Sequence, residues 1–208
     1  MGHAPATRER ILDQGLALMS QSGLEGVTLG VLADQVGMSK SGLFAHFRSK
    51  EEVQIRLLEH TSKVGAAHII APSMRKPEGL PRLQALVKHW FGWAPRAGLP
   101  GGCPVAAGLF EFDDVPSPVR DKLLQMEAEW RALLTKTVNE ACSLGHLRAD
   151  LDVAQFVWEL CGIYLSHHTA QRFLKSPDAN RRAKTAFEAL LARAAPALSK
   201  KRPKGAHA

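Results

Sequence analysis

Residues 28–50 read TLGVLADQVGMSKSGLFAHFRSK. The stretch has the grammar of two short helices joined by a tight turn, with a third helix starting at its end. Thr28 is a good first cap, because its hydroxyl can accept a backbone N–H that has no partner in the opening turn. Leu29, Leu32, Ala33 and Val36 then fall on one helical face. Gly37 stops that helix where a positive φ is wanted. Met38 lies in the turn and Ser39 caps the next helix. Leu43 and Phe47, four apart, turn its apolar side inward. Lys40, Ser41, Phe44 and Ala45 remain outward, with His46 at the edge. A short helix whose free face is small, basic and aromatic suits the major groove of DNA. The stretch therefore predicts a helix-turn-helix.

Upstream, Thr7 to about Ser22 reads as a helix with Ile11, Gly15, Leu18 and Ser22 inward, flanked by Leu12, Leu16 and Met19. Gly23 closes it, and Leu24 and Val27 anchor the link to Thr28. Downstream, Ser49-Lys50-Glu51-Glu52 is a capping box that starts a fourth helix, expected to reach about Ile70. Pro72, Pro77 and Pro81 mark a break. Leu83, Leu86, Val87, Trp90 and Phe91 predict a fifth helix ending near Arg96. After a turn-rich Gly98–Pro104 loop come a short apolar helix, Val105 to Phe112, and a long one, Val119 to Leu144, stopped by Gly145. Asp152 caps the next, which reaches Leu174. Asp178 to Ala194 forms the last. No stretch alternates as a strand does and nothing repeats, so the prediction is an all-α chain of about nine helices.

The chain has 208 residues, enough for one or two domains with a real core. Its three cysteines, Cys103, Cys142 and Cys161, are odd in number and make no CxxC pair. This argues against a disulfide framework or structural zinc, and for a reducing cytoplasm. No apolar run approaches the roughly 20 residues of a membrane span, and the first residues lack a signal-peptide core. The net charge of +7 is unevenly placed. Residues 1–60 hold six Lys/Arg and seven Asp/Glu, a net of −1, whereas residues 175–208 hold nine and two, a net of +7. Global charge is thus weak evidence about the first helices. The local pattern is better, because Gln35 to Lys50 contains Lys40, Arg48 and Lys50 and no acid.

Residues 8–58 resemble the DNA-binding domain of the TetR family of bacterial transcription regulators. The likeness rests on Thr28, Leu32-Ala33, Gly37-Met38-Ser39, Leu43-Phe44, His46-Phe47 and Lys50 at fixed spacing. There are two departures. The family most often has a Tyr, whose hydroxyl reaches a phosphate, where this chain has Phe44, which has no hydroxyl, and Thr or Ala where it has Gly42. Gly42 costs about 1 kcal/mol of helix propensity against Ala. It either admits close approach of DNA or softens the free helix.

The resemblance implies a helix-turn-helix DNA-binding domain over residues 1–60 and a helical ligand-binding and dimerisation domain over 61–196. A basic tail follows over 197–208. It implies a homodimer that reads a palindromic operator in double-stranded DNA and is released by a small-molecule effector, most often as a repressor. Thr28, His46 and Lys50 are expected on phosphates. Lys40, Ser41 and Phe44 are expected at base edges or sugars, and Ser39 and Gly42 complete the DNA-facing set. The dimer interface is expected from Phe156 to Phe173 and from Ala183 to Leu191. Trp90, Trp93, Phe110, Met126 and Trp130 are the candidate walls of an apolar effector pocket, although most such aromatic residues are simply core.

Two other classes compete with this one. A Cys-dependent enzyme would use Cys103 as nucleophile and His89, His146 or His167 as base. The sequence offers no orienting partner and no Gly-rich phosphate loop. The departures at Gly42 and Phe44 would also suit a ligand- or protein-binding dimer that has lost DNA binding. Cys103 is more simply an idle loop thiol than a redox sensor. His167 and His168, being adjacent, point to different sides of a helix, so no metal and no cofactor are expected.

Overall fold

The computed structural model describes residues 3–196, so the basic tail expected over 197–208 lies outside the described residues. Within them the secondary structure is helical. In order come α1 (His3–Ser22), α2 (Leu29–Val36), α3 (Lys40–Phe44) and α4 (Lys50–Gly65). A π-turn (Ala66–Ile70) follows, then α5 (Ala71–Met74), α6 (Leu80–Trp90), α7 (Trp93–Arg96), α8 (Pro104–Glu111), α9 (Pro118–Ser143), α10 (Val153–Arg172) and α11 (Ala179–Ala194). The expected division after residue 60 falls inside α4, so that helix belongs to both halves.

The eleven α-helical segments are the nine expected helices with two of them split. Pro72 was expected to break the fourth helix. Instead the helical path continues to Met74, because the wider π-turn relieves the clash of the Pro72 ring with the preceding turn. The fifth helix, expected to reach Arg96, stops at Trp90. Phe91 is extended and Gly92 takes φ 69°, a left-handed conformation glycine adopts without steric cost, and the chain restarts as α7.

Start signals behave as local chemistry requires. Thr28, Ser39, Ser49, Ser117 and Asp152 each accept a backbone N–H from three residues on. The return arm of the box at Ser49 differs from expectation: the Glu52 carboxylate accepts the N–H of Arg48 at 2.8 Å.

One apolar cluster runs through the described chain, from Ile11, Leu32 and Phe47 through Leu57, Leu86 and Leu134 to Leu160 and Leu190. Polar bonds stitch α1–α4 together. His60 Nε2 meets Asp13 Oδ1 at 2.7 Å, the buried Gln54 amide donates to the Leu24 carbonyl at 2.8 Å, and Arg8 lies over the Phe47 ring at 5.1 Å. Helices α10 and α11 pack along one another, and Trp158 (66% exposed) and Phe173 (82%) project from them without cover.

Candidate nucleic-acid interface and apolar cavity

Leu43 and Phe47 are fully buried and hold α3 against α2. That leaves Lys40, Ser41 and Phe44 exposed on the outer side of a five-residue helix. Thr28 and Ser39 are occupied as caps. Thr28 Oγ1 accepts Val31 N at 3.2 Å, and Ser39 Oγ accepts Gly42 N at 3.0 Å and lies 3.0 Å from Ser41 Oγ. The Thr28 oxygen still carries an O–H that can donate outward. The Lys40 side chain reaches back toward Gly30 at the start of α2. A Cβ on Gly42 would sit 3.2 Å from Ser39 Oγ, so a side chain there would crowd the cap. His46 is half-buried, its ring centroid 6.5 Å from that of Phe47.

Lys50 is placed differently from the expected free cation. Its Nζ donates to Glu25 Oε2 at 2.8 Å, across the link between α1 and α2. The Lys50 ammonium beside Glu25 holds that carboxyl below its ordinary range. The reading face therefore carries an acid that sequence analysis missed. The two residues are 25 apart, and nothing in their local patterns joins them.

Behind the reading head lies a cavity of about 220 Å³. Its walls come from α4 (Thr61), the π-turn (Ile69), α6 (Trp90), α7 (Trp93), α8 (Val105, Ala106, Leu109), α9 (Met126, Trp130) and α10 (Cys161, Tyr164). Trp90 stacks on Tyr164 at 4.0 Å and meets Trp130 edge-on at 4.8 Å. Burial pushes the Tyr164 phenol well above its ordinary range, with Cys103, Trp93 and Trp90 as its polar neighbours. Burial also pushes the Cys161 thiol up to about 11, which leaves it a poor nucleophile at neutral pH. Four of the five expected wall residues meet here, Trp90, Trp93, Met126 and Trp130. Phe110 does not: it is 61% exposed, and its neighbour Leu109 faces the cavity instead. Helix α8 is apolar on nearly every side, so its sequence could not say which side turns inward.

Among the candidate bases for Cys103, His146 Nδ1 accepts Leu80 N–H at 3.2 Å. His167 pairs with Asn180 Oδ1 at 2.8 Å and stacks on Phe91. Burial first, then Arg96 and Lys88, keep His89 low. Cys103 is buried beside Tyr164.

Helix α8 also braces the reading head. The Glu111 carboxylate accepts the backbone N–H of Glu25 at 2.9 Å. Gly108 packs so closely that a Cβ there would lie 2.7 Å from Leu24 Cδ1, which only glycine permits without displacing that buried side chain. Gly102 N donates to the Ser20 carbonyl at 2.8 Å, which ties the preceding loop to the end of α1. One short helix thus lines the cavity and grips the segment whose acid pairs with Lys50.

Comparison with known proteins fits both halves. The family model described as bacterial regulatory proteins, tetR family, matches residues 11–57. The model described as tetracyclin repressor-like, C-terminal domain, matches residues 79–187. The chain is 29% identical over 179 residues to the nucleoid occlusion factor SlmA of Cronobacter sakazakii, covering 83% of this chain and 88% of that one. A TetR transcriptional regulator from Chloroflexus aurantiacus J-10-FL superposes with a TM-score of 0.81 at 22% identity, over 92% of this chain and 96% of that one. AibR, solved with isovaleryl coenzyme A and operator DNA, superposes with a TM-score of 0.68 at 18% identity, over 90% and 97%.

Proposed function

The chain belongs to the TetR family of bacterial regulatory proteins, and from that premise we propose that it is a homodimeric transcriptional repressor working in the cytoplasm. In this reading two copies of α3 enter successive major grooves of a palindromic operator, about 34 Å apart. A small, largely apolar molecule in the cavity releases them. The observation that carries the reading is the double duty of α8. Val105, Ala106 and Leu109 line the cavity, while Gly108 and Glu111 hold Leu24 and Glu25 of the reading head. A ligand that favours a shifted α8 therefore favours a shifted head, and DNA opposes that ligand by the same factor.

Thr28, His46 and Lys50 serve as phosphate contacts, with Lys40, Ser41 and Phe44 at bases or sugars and Ser39 and Gly42 beside them. The dimer forms through α10 and α11, where Trp158, Ile163, Ala183 and Ala186 line a shallow groove that a partner helix can enter. AibR, whose structure holds isovaleryl coenzyme A and operator DNA together, supports a DNA site and a ligand site on one fold and leaves the release step to the experiment. The SlmA relative is named for nucleoid occlusion, which favours a second reading in which the chain occupies many chromosomal sites.

The test is a salt-titrated mobility shift on the DNA flanking its own gene, with and without apolar compounds, followed by genome-wide occupancy. A few operators emptied by a compound support the repressor. Many sites indifferent to every compound support the second reading. The absence of any specific site leaves a dimer that has lost DNA binding.

A further inference from the structure

We propose that the pocket between the loop over residues 98–103 and the C-terminal end of α10 binds a small organic phosphate, with Arg172, Lys175 and His168 as its donors. The site is separate from the apolar cavity, and the proposal does not depend on what fills that cavity.

The pocket measures about 430 Å³. Its floor is the loop, which is tied from behind and so does not fall into the space. Gly101 N–H donates to Ser20 Oγ at 3.0 Å and Gly102 N–H to the Ser20 carbonyl at 2.8 Å. Trp93, Cys103 and Tyr164 form a wall common to this pocket and the apolar cavity. His168 and Arg172 are one turn apart on α10 and lie over Gly102. A Cβ there would come within 2.8 Å of His168 Cε1 and 2.9 Å of Arg172 Cδ, so the missing side chain is what leaves the two room. Lys175 follows, exposed, in the turn after the helix. All three line the pocket, and none is fully buried, so a guest can reach them.

The lining carries Arg172, Lys175, His167 and His168 and no Asp or Glu. Arg172 and Lys175 make no ion pair among the described residues, whereas Arg131, Arg181 and Arg193 each hold a carboxylate. Nor are the two cations spent on capping α10, because the main chain closes that helix. Leu174 N–H donates to the Thr169 carbonyl at 3.1 Å and Ser176 N–H to the Ala170 carbonyl at 2.9 Å. The helix end supplies about half a negative charge, which offsets only part of the excess. Burial first, then Arg172 and His167, lower the His168 pKa, and no acid opposes them. His167 Nε2 and the Gln171 amide are both engaged with Asn180 Oδ1, at 2.8 and 2.9 Å. An anion in the pocket would relieve the repulsion among the remaining cations.

A guanidinium fork, an ammonium and an imidazole around one mouth match the three terminal oxygens and two charges of a phosphate monoester. A carboxylate, with two oxygens and one charge, engages fewer of these donors. Trp93, Pro95, Leu99 and Pro100 offer apolar wall for an organic body. The groove on α10 and α11 proposed for a partner helix shares only His167 with this lining, so a dimer formed there leaves Arg172 and Lys175 outside it.

Phenyl phosphate, benzoate and benzyl alcohol are each titrated calorimetrically into the full chain, without DNA and near neutral pH. Phenyl phosphate should bind most tightly, benzoate at least several-fold more weakly, and benzyl alcohol not measurably. Arg172→Gln should lower phenyl phosphate affinity by about tenfold or more, the loss of a charge-assisted hydrogen bond. Lys175→Gln, on an exposed side chain, should lower it several-fold. Gly102→Ala should do the same, since it crowds His168 and Arg172 and removes no charge. Phenyl phosphate bound equally by the unmodified chain and Arg172→Gln lies elsewhere, as on the DNA-reading face, and overturns the proposal. So does the absence of binding at millimolar concentration. Benzoate bound as tightly as phenyl phosphate overturns the phosphate assignment. Should Arg172→Gln not fold, Lys175→Gln and Gly102→Ala decide, and unchanged affinity in both overturns the site.

Discussion

The Glu111 carboxylate accepts the backbone N–H of Glu25 at 2.9 Å, across 86 residues of sequence. The bond joins the helix that lines the cavity to the link between α1 and α2. At the same residue the Glu25 carboxylate holds the Lys50 ammonium at 2.8 Å. Cavity, brace and reading-face cation are therefore neighbours in series.

Lys50 can serve a phosphate fully only by sharing or leaving Glu25. Glu25→Gln should strengthen binding to any DNA several-fold at low salt and steepen the slope of log K against log salt by up to about 1. Lys50→Ala should weaken all sequences about equally and flatten the slope by about 1. Fluorescence anisotropy across a salt series reads both. A Glu25→Gln variant identical to the unmodified chain would mean that Lys50 meets DNA without giving up its partner.

The same pair has a pH signature. Because Lys50 lowers the Glu25 pKa on folding, the folded chain binds that proton less readily than the unfolded one. The stabilisation is present above the ordinary carboxylate range and is lost as pH falls through the lowered value. Glu25 is largely exposed, so solvent screening holds the effect at pH 7 below about 1 kcal/mol. Denaturant titrations of Glu25→Gln and the unmodified chain should differ by that little at pH 7 and converge on acidification. A gap that widened in acid would contradict the pairing.

Assembly can be tested on two aromatic residues of unequal burial. Trp158 is 66% exposed on α10, whereas Phe187, in the stretch of α11 expected at the interface, is 8% exposed within the single chain. Trp158→Glu should give a folded monomer by sedimentation. Phe187→Glu should unfold or precipitate, since it places a charge in the core. An unmodified chain that sediments as a monomer at micromolar concentration would remove the helix-bundle interface.

Close packing under α8 gives a stability prediction. Gly108→Val puts methyl groups where Leu24 and Leu123 already stand, with Leu24 fully buried and unable to yield toward solvent. Overpacking of this kind costs about 1–3 kcal/mol, measurable by chemical denaturation. A variant as stable as the parent would show that α8 shifts freely, which would weaken its role as a brace.

What the sequence disclosed was mostly local. Thr28, Ser39, Ser49 and Asp152 could be named as caps because a cap is chemistry within four residues. The inward turn of Leu43 and Phe47 followed from their spacing alone. Pro72 misled, since the π-turn that accommodates it depends on tertiary packing and carries no breaker residue of its own. Phe110 misled for a different reason. Along Val105-Ala106-Ala107-Gly108-Leu109-Phe110 there is no polar face to mark the outside, so aromatic character stood in for orientation and chose the wrong neighbour. Glu25 with Lys50, and Glu111 with Glu25, lie 25 and 86 residues apart, beyond the reach of any helical period.

If α8 transmits occupancy of the cavity, cutting its brace should separate ligand binding from DNA release. Glu111→Ala removes the acceptor for Glu25 N–H and leaves the cavity walls untouched, since Glu111 lies outside the lining. The N–H it abandons is solvent-exposed, so the stability cost should stay near the about 1 kcal/mol of an ordinary hydrogen bond. In the unmodified chain, a cavity ligand that weakens operator binding tenfold exerts about 1.4 kcal/mol of coupling, and operator DNA must weaken the ligand by the same factor. In Glu111→Ala the ligand should bind the free protein as before, while the coupling falls in both directions together. Two titrations measure it: ligand into protein with and without operator, and operator into protein with and without ligand. Coupling undiminished in the variant would take the signal off the Glu111 bond and leave α4, which also runs from the cavity to Lys50, as the route.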